Sequence, residues 1–414
     1  ASTRPQAGRS AARRGSAAAA VRPELTIGFL PLTDSAPLIA ACERELFAKH
    51  GLQVRLQKFP SWDAVTDALC AGTIDAAHML ASIPVAVAAG MMGHRRAPLV
   101  VPWILNRNGQ GITLSRDLAA KVGADPATLA VEARRARASG PPMTFASTHR
   151  FGTHELWLRY WLAAGGIDPD ADVSMTVTPP PLLLAGLRQG EVCGFCVGEP
   201  WNAKAVADGV GYTAVASQDV WADHPEKALA FTESFAADRP DVVGKVLAAV
   251  GDASAWLDDP ANRPEAAALI ARQAYLNVRP EEILPRLGGH YDMGDGRTKE
   301  YPLHPMRFSA GNVNYPQQKH AMWFLTQFRR WGMVRGTPDY AAVAARVFRG
   351  DLYEAFAKSA GLGEGGASER PETLVDGVTF DPADPEGYAT GFAIGHPSEA
   401  EPVDVADEVA VAVG

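Results

Sequence analysis

The chain has 414 residues, of which 47% are hydrophobic and 21% charged. That is too long for one ordinary core and too apolar for a disordered polymer, so two lobes or domains are expected. The formal net charge of −8 excludes the basic face of a direct nucleic-acid binder, and any anion site must be built locally from a few donors. No run of about 18 or more apolar residues occurs, so no membrane-spanning helix is expected.

Residues 1–22 read as a basic, disordered arm. Arg13 and Arg14 form a twin-arginine pair, but the "GSAAAAV" that follows is too short and too weakly apolar for a secretory core. "LTIGFLPL" is a strand, and the helix after it is closed by Gly51. "LQVRLQKF" alternates as a strand, and "SWDAVTDALCAG" is a helix with Ser61 as N-cap. "TIDAAHML" is the next strand. This spacing predicts parallel βαβ units, hence an α/β fold with helices on both sheet faces. "APLVVPWILNRNGQGITLS" (97–115) is an extended crossing segment, after which a second block repeats the plan. In that block "MTFAS" is a strand, "THELWLRYWLAAGG" a helix, "VSMTVTP" a strand, "PLLLAGLRQG" a helix and "EVCGFCVG" a strand.

The organisation expected is therefore an arm (1–22), a first lobe (23–108), a second lobe (109–230), a mostly helical completion of the first lobe (231–360) and a C-terminal segment (361–414) with a loose acidic end. Strand C-termini and helix N-termini of both lobes face a central cleft, where free backbone N–H groups suit a small anion.

Five residues stand out as candidates for that cleft. His154 lies in the first turn of its helix, set against the dipole unless an anion lies in front of it. Trp62 holds the equivalent place in the first block, one residue after Ser61. Gln110 stands between Gly109 and Gly111, which permit close approach of a ligand. Gly198 ends the "GFCVG" strand, with Glu199 beside it as a further acceptor. Lys227, in "HPEKAL", reads on its own as a surface lysine. The four cysteines, Cys42, Cys70, Cys193 and Cys196, include one CxxC with no second ligand pair, so free thiols and no metal site are expected. Free thiols favour a reducing compartment. No GxSxG, HExxH, P-loop or dinucleotide fingerprint is present, so no enzyme and no cofactor are expected.

Long ordered blocks carry a resemblance: "GFLPLTDSAPLIAA", "SWDAVTDAL", "VPWILNRNGQGITLS", "GTHELWLRYWLAAGGIDPD", "GFCVGEPWNAKAV", "HPEKAL" and "DGVTFDPADPEGY". Over roughly residues 25–390 the chain resembles the nitrate/bicarbonate-binding family of solute-binding proteins, which serve ABC importers and include cytoplasmic nitrate sensors. The resemblance implies the two-lobed, type II periplasmic-binding-protein fold with the ligand cleft between the lobes. It implies that Trp62, Gln110, His154, Gly198 and Lys227 hold nitrate or nitrite, with Lys227 replacing the acid that helps hold calcium in the bicarbonate branch. Together with the N-terminus and the cysteines, it leads to the expectation of a cytoplasmic nitrate sensor that regulates nitrate assimilation through an RNA-binding antiterminator partner. The alternative is the periplasmic or cell-surface subunit of a nitrate ABC transporter, with a permease as partner.

Overall fold

The structure is a computed structural model that describes residues 24–93, 97–303, 305–359, 366, 368 and 370–399. The arm expected over 1–22 and the loose acidic end lie outside the described residues.

Ten strands build two sheets: β1 (Glu24–Phe29), β2 (Gln53–Lys58), β3 (Ala76–Leu80), β4 (Leu99–Ile104), β5 (Gln110–Ser115), β6 (Thr144–Ser147), β7 (Ser174–Val177), β8 (Gly194–Gly198), β9 (Gly211–Ala216) and β10 (Lys227–Thr232). The first sheet has the order β2-β1-β3-β10-β4 and the second β7-β6-β8-β5-β9. Within each sheet the block read as βαβ is parallel, with Ile27 beside Leu56 and Phe145 beside Met175. Two strands outside those blocks run the other way. β10 runs antiparallel between β3 and β4, and β5 runs antiparallel between β8 and β9. These strands arrive from the other lobe along the two crossings, so they enter with the opposite direction.

The crossings pair with each other. Leu105 N–H donates to the Lys227 carbonyl at 2.7 Å and Glu226 N–H to the Asn106 carbonyl at 3.2 Å. Asn106 Oδ1 accepts the Lys227 N–H. Gln110 is the first residue of β5 and Lys227 the first of β10, so each crossing delivers one polar side chain where it meets a sheet.

Helix boundaries follow local chemistry. Gly51, at φ +78°, ends the helical stretch before β2, as only a residue without Cβ does cheaply. In helix α1 (Trp62–Cys70) the Ser61 side chain accepts the Ala64 N–H, satisfying one orphan donor. Helix α2 (Thr153–Ala164) starts from Gly152 with no side-chain cap, and its first eleven residues are all buried. The segment after β10 is mainly helical, including the long α3 (Pro240–Asp258). Helix α4 (Gln318–Arg330) packs on both Ser82–Ala88 of the first lobe and α2 of the second.

The C-terminal segment is more than a surface cover. Its short helix α5 (Pro385–Thr390) buries Tyr388 and Ala389. Trp323 on α4 donates its N–H to the Tyr388 hydroxyl, and Tyr160 on α2 donates to Asp376. "FDPADPEG" forms a cap instead of an ion loop, since Asp384 accepts the Gly387 N–H. Among the described residues no helix is long and apolar enough to cross a membrane.

Candidate functional site

The polar groups of the two lobes converge at the junction of the crossings. Trp62, Gln110, His154 and Lys227 are all 0% exposed. Each is placed by a different element: α1, the start of β5, the first turn of α2 and the start of β10. His154 Nε2 lies 2.9 Å from Gln110 Oε1, and its Nδ1 lies 2.6 Å from Thr148 Oγ1. Trp62 Nε1–H donates to the same Thr148 oxygen at 3.0 Å. The Lys227 ammonium lies 5.7 Å from the Trp62 ring centre. β5 and β8 pair so that Gln110 faces Gly198. A Cβ added at Gly198 would stand 2.7 Å from Gln110 Oε1 and 3.1 Å from Asp34 Oδ2. The five candidates therefore share one small, dry region.

Two of them stand differently from the sequence reading. Lys227 is wholly buried at the head of a central strand, where "HPEKAL" on its own read as a surface lysine. The Trp62 N–H is taken by Thr148, so the tryptophan offers mainly its ring. The Glu199 carboxylate pairs with Arg286 at 2.7 Å and accepts the Ala203 N–H.

Sequence reasoning missed two carboxylates and two histidines at the centre. Asp34, in the turn after β1, accepts from Lys227 Nζ at 2.8 Å and from Gln110 Nε2 at 3.2 Å. His78 on β3 lies 2.8 Å from the other Asp34 oxygen, with its Nδ1 facing the Leu30 N–H at 3.4 Å. Glu226 accepts from Lys227 at 2.9 Å, from the Thr153 hydroxyl at 2.6 Å and from the Trp157 N–H at 2.8 Å. His224 faces Ser217 Oγ at 2.7 Å and lies against the Trp157 ring, whose centre is 4.5 Å away. A signal did exist for His78, the one polar residue in the otherwise apolar strand "AAHML". Asp34 sits past a strand C-terminus, where ligand groups collect in α/β folds.

These partners set the charge states. Burial opposes ionisation of Asp34, but Lys227 and His78 outweigh it and hold the carboxyl below its ordinary value. Burial likewise opposes charge on Glu226, and Lys227 with His154 and His224 drives its carboxyl far down. Lys227 is desolvated too, yet Asp34 and Glu226 raise its pKa above the ordinary value. Burial pushes His78, His154 and His224 down, with Lys227 adding to the effect on each, and His224 falls to about 4. At neutral pH the centre thus holds one ammonium, two carboxylates and neutral imidazoles.

Behind Glu226 stands an aromatic wall. Trp157 stacks on Trp323 at 5.3 Å, and Trp221 lies 4.8 Å from Trp323. All three rings are buried, and polar contacts in such a low-dielectric setting are electrostatically stronger than in water. A groove elsewhere, about 1000 Å³, is lined by Trp103, Val243, Leu247 and Phe356 and includes none of these residues. The four cysteines are free thiols, Cys196 fully buried with its pKa pushed well up by burial. Among the described residues one trio has metal-ligand spacing, Asp168, Asp170 and His396. Arg159 holds Asp170 through both carboxylate oxygens, and His396 already pairs with Asp168.

Comparison with known proteins places these features in context. A family model described as "NMT1-like family" matches residues 18–271. The nitrate/nitrite binding protein NrtA of Synechococcus elongatus is 41% identical over 379 residues, 89% of this chain and 86% of that one. The bicarbonate transport ATP-binding protein CmpC of the same organism is 35% identical over 376 residues, 89% of this chain but 55% of its own length. The crystal structure of the periplasmic nitrate-binding protein NrtA from Synechocystis PCC 6803 superposes with a TM-score of 0.86 at 35% identity, covering 90% of this chain and 99% of that one. The two-lobed periplasmic-binding-protein fold expected from the sequence is thereby established. The expectations of a cytoplasmic location and an antiterminator partner find no support here. The named relatives are a nitrate/nitrite binding protein and a bicarbonate transport ATP-binding protein, and the matching structure is of a periplasmic protein.

Proposed function

Because this chain belongs to the NMT1-like family, we propose that it captures nitrate or nitrite between its lobes as the exported substrate-binding subunit of a nitrate ABC importer. Its partners are then the importer's permease and ATP-binding subunits, in place of an RNA-binding regulator. The observation that carries this reading is the buried Lys227 ammonium at the junction of the crossings, with Gln110, His154, Trp62 and Gly198 around it.

Nitrate is a planar, weakly basic monoanion that cannot donate a proton. It needs donors, and it needs nearby carboxylates to be engaged already. Lys227 and the His154 imidazole supply N–H groups, Gln110 an amide, and Gly198 leaves room for the anion beside them. Asp34 and Glu226 are both occupied by Lys227 and by other donors. Bicarbonate carries its own proton and, by resemblance, its branch uses calcium and an acid where this chain has Lys227. The capture is non-enzymatic: the bound anion is recovered unchanged. Closure is a population shift, since an anion that contacts both lobes binds the closed state better than the open one.

Calorimetry with nitrate, nitrite and bicarbonate, the last with and without calcium, tests this reading. Saturable nitrate or nitrite binding with no bicarbonate response is expected. Calcium-dependent bicarbonate binding without a nitrate response would overturn it. Gly198→Ala gives a sharper check of the site. Its Cβ would crowd Gln110 and Asp34 at 2.7 and 3.1 Å, at a stability cost of about 1–3 kcal/mol for overpacking. Nitrate affinity is expected to fall by roughly tenfold or more on the same calorimeter, since about 1.4 kcal/mol is tenfold in affinity. Unchanged affinity would remove Gly198 from the site.

A further inference from the structure

The charges at the centre of the site do not balance. Asp34 and Glu226 are buried carboxylates and Lys227 is their shared cation, which leaves one net negative charge before any anion enters. Nitrate would bring a second and carries no proton of its own. On the reading proposed above, a dry pocket with two uncompensated negative charges would expel its ligand.

We propose that the site takes up one proton together with each nitrate, and that His154 is the residue that carries it.

Three imidazoles stand near the centre, and their surroundings separate them. His78 on β3 is committed as neutral: Nδ1 accepts the Leu30 N–H, so Nε2 carries the proton toward Asp34. A second proton on Nδ1 would point at that N–H. His224 faces two cations, Lys227 and Arg107, as well as Glu226. It bonds to Ser217 and to the Pro225 carbonyl, away from the Lys227–Gln110 pair.

His154 differs in every respect. Its Nε2 has two acceptors within reach, Gln110 Oε1 at 2.9 Å and Glu226 Oε1 at 3.4 Å. Its Nδ1 faces Thr148 Oγ1, an oxygen with two lone pairs. That oxygen already accepts the Trp62 N–H and can accept a second donor if its own hydroxyl hydrogen turns away. His154 therefore gains a proton without leaving a donor facing a donor. The charged groups facing it are Lys227 and Glu226 from the return crossing and Asp34 from the turn after β1. Without an anion, burial and Lys227 keep the imidazole neutral. An anion beside Lys227 offsets that ammonium and reverses the balance at His154.

The test is nitrate calorimetry on the full chain at pH 7.5 in two buffers of different ionisation enthalpy, HEPES and Tris. The two heats are expected to differ by the amount set by about one proton taken up per nitrate, and affinity to fall toward tenfold per pH unit above neutrality. Imidazole NMR of the nitrate-saturated protein should show one histidine at an imidazolium shift, absent in His154→Gln. That variant keeps a donor near the site but cannot gain a proton, so its weaker binding should be independent of pH. Equal heats in both buffers and a flat affinity from pH 6.5 to 8.5 would overturn the proposal and leave nitrate binding intact. No nitrate heat at all would remove the functional reading and this inference with it. Proton uptake that persists in His154→Gln would move the proton to another group and overturn the assignment.

Discussion

Lys227→Met is expected to abolish measurable nitrate binding and to destabilise the fold. The ammonium is the partner that Asp34 and Glu226 share at 2.8 and 2.9 Å, and all three side chains are 0% exposed. Removing one member of such a group leaves uncompensated buried charge, at a cost of about 3–5 kcal/mol. In binding, truncating a buried charged partner costs about 2–5 kcal/mol. Urea denaturation and nitrate calorimetry read the two effects separately. The stability loss should also depend on pH in a particular direction. Without Lys227 the carboxyls' pKa values rise, so lowering the pH neutralises them and the gap to the unaltered protein narrows toward pH 5. A variant as stable as the unaltered protein at pH 8 would mean that the carboxylates are paired by something other than Lys227.

The second large effect is acid sensitivity that sets in well above the carboxylate range. His224 and His320 are both fully buried, and burial pushes each down to about 4 from an ordinary value of 6.5. The native state keeps these imidazoles neutral while the unfolded chain binds protons below 6.5. Stability from them is therefore complete above pH 6.5 and is lost as the pH falls toward 4. At about 1.4 kcal/mol per pH unit, each removes about 2 kcal/mol by pH 5. Asp34 and Glu226 add a loss at lower pH, because their folded pKa values lie below the unfolded ones. Urea midpoints at pH 7.5 and 5 measure the first window. His320→Gln, which can still donate to Glu372, should show a shallower slope. Identical midpoints at the two pH values would mean that these imidazoles titrate alike in the folded and unfolded states.

The local parts of the fold were legible in the sequence because their causes are local. Alternation marked β2, the Ser61 cap marked α1, and Gly51 marked a helix end. β10 was not legible as a strand within the first sheet. Its neighbours β3 and β4 lie far back in the chain, and nothing in "HPEKALAF" shows that a strand will enter between them. The same gap hid the depth of Lys227, because a long charged side chain is buried only if the fold brings it partners. Motif reading picked out five residues that do converge in one buried region. It did not foresee that the donors would be held by acceptors of the protein's own. Asp34 and Glu226 are far apart in sequence, and Lys227 joins them only when the return crossing docks. Nor did composition reveal that the C-terminal segment would bury Tyr388 against Trp323.

The insertion of β10 between β3 and β4 also fixes an order of assembly. All five strands of the second sheet, Gln110 to Ala216, are contiguous in the chain, and that sheet closes without help from outside. The first sheet cannot close until residue 232 is available. Before then, β3 and β4 face each other across an empty strand position, with open edges that invite wrong pairing. The lobe that comes first in the sequence therefore finishes second. A nascent chain must carry its half-built sheet through the synthesis of the whole neighbouring lobe, and the pairing that completes it is of the long-range kind that folds slowly.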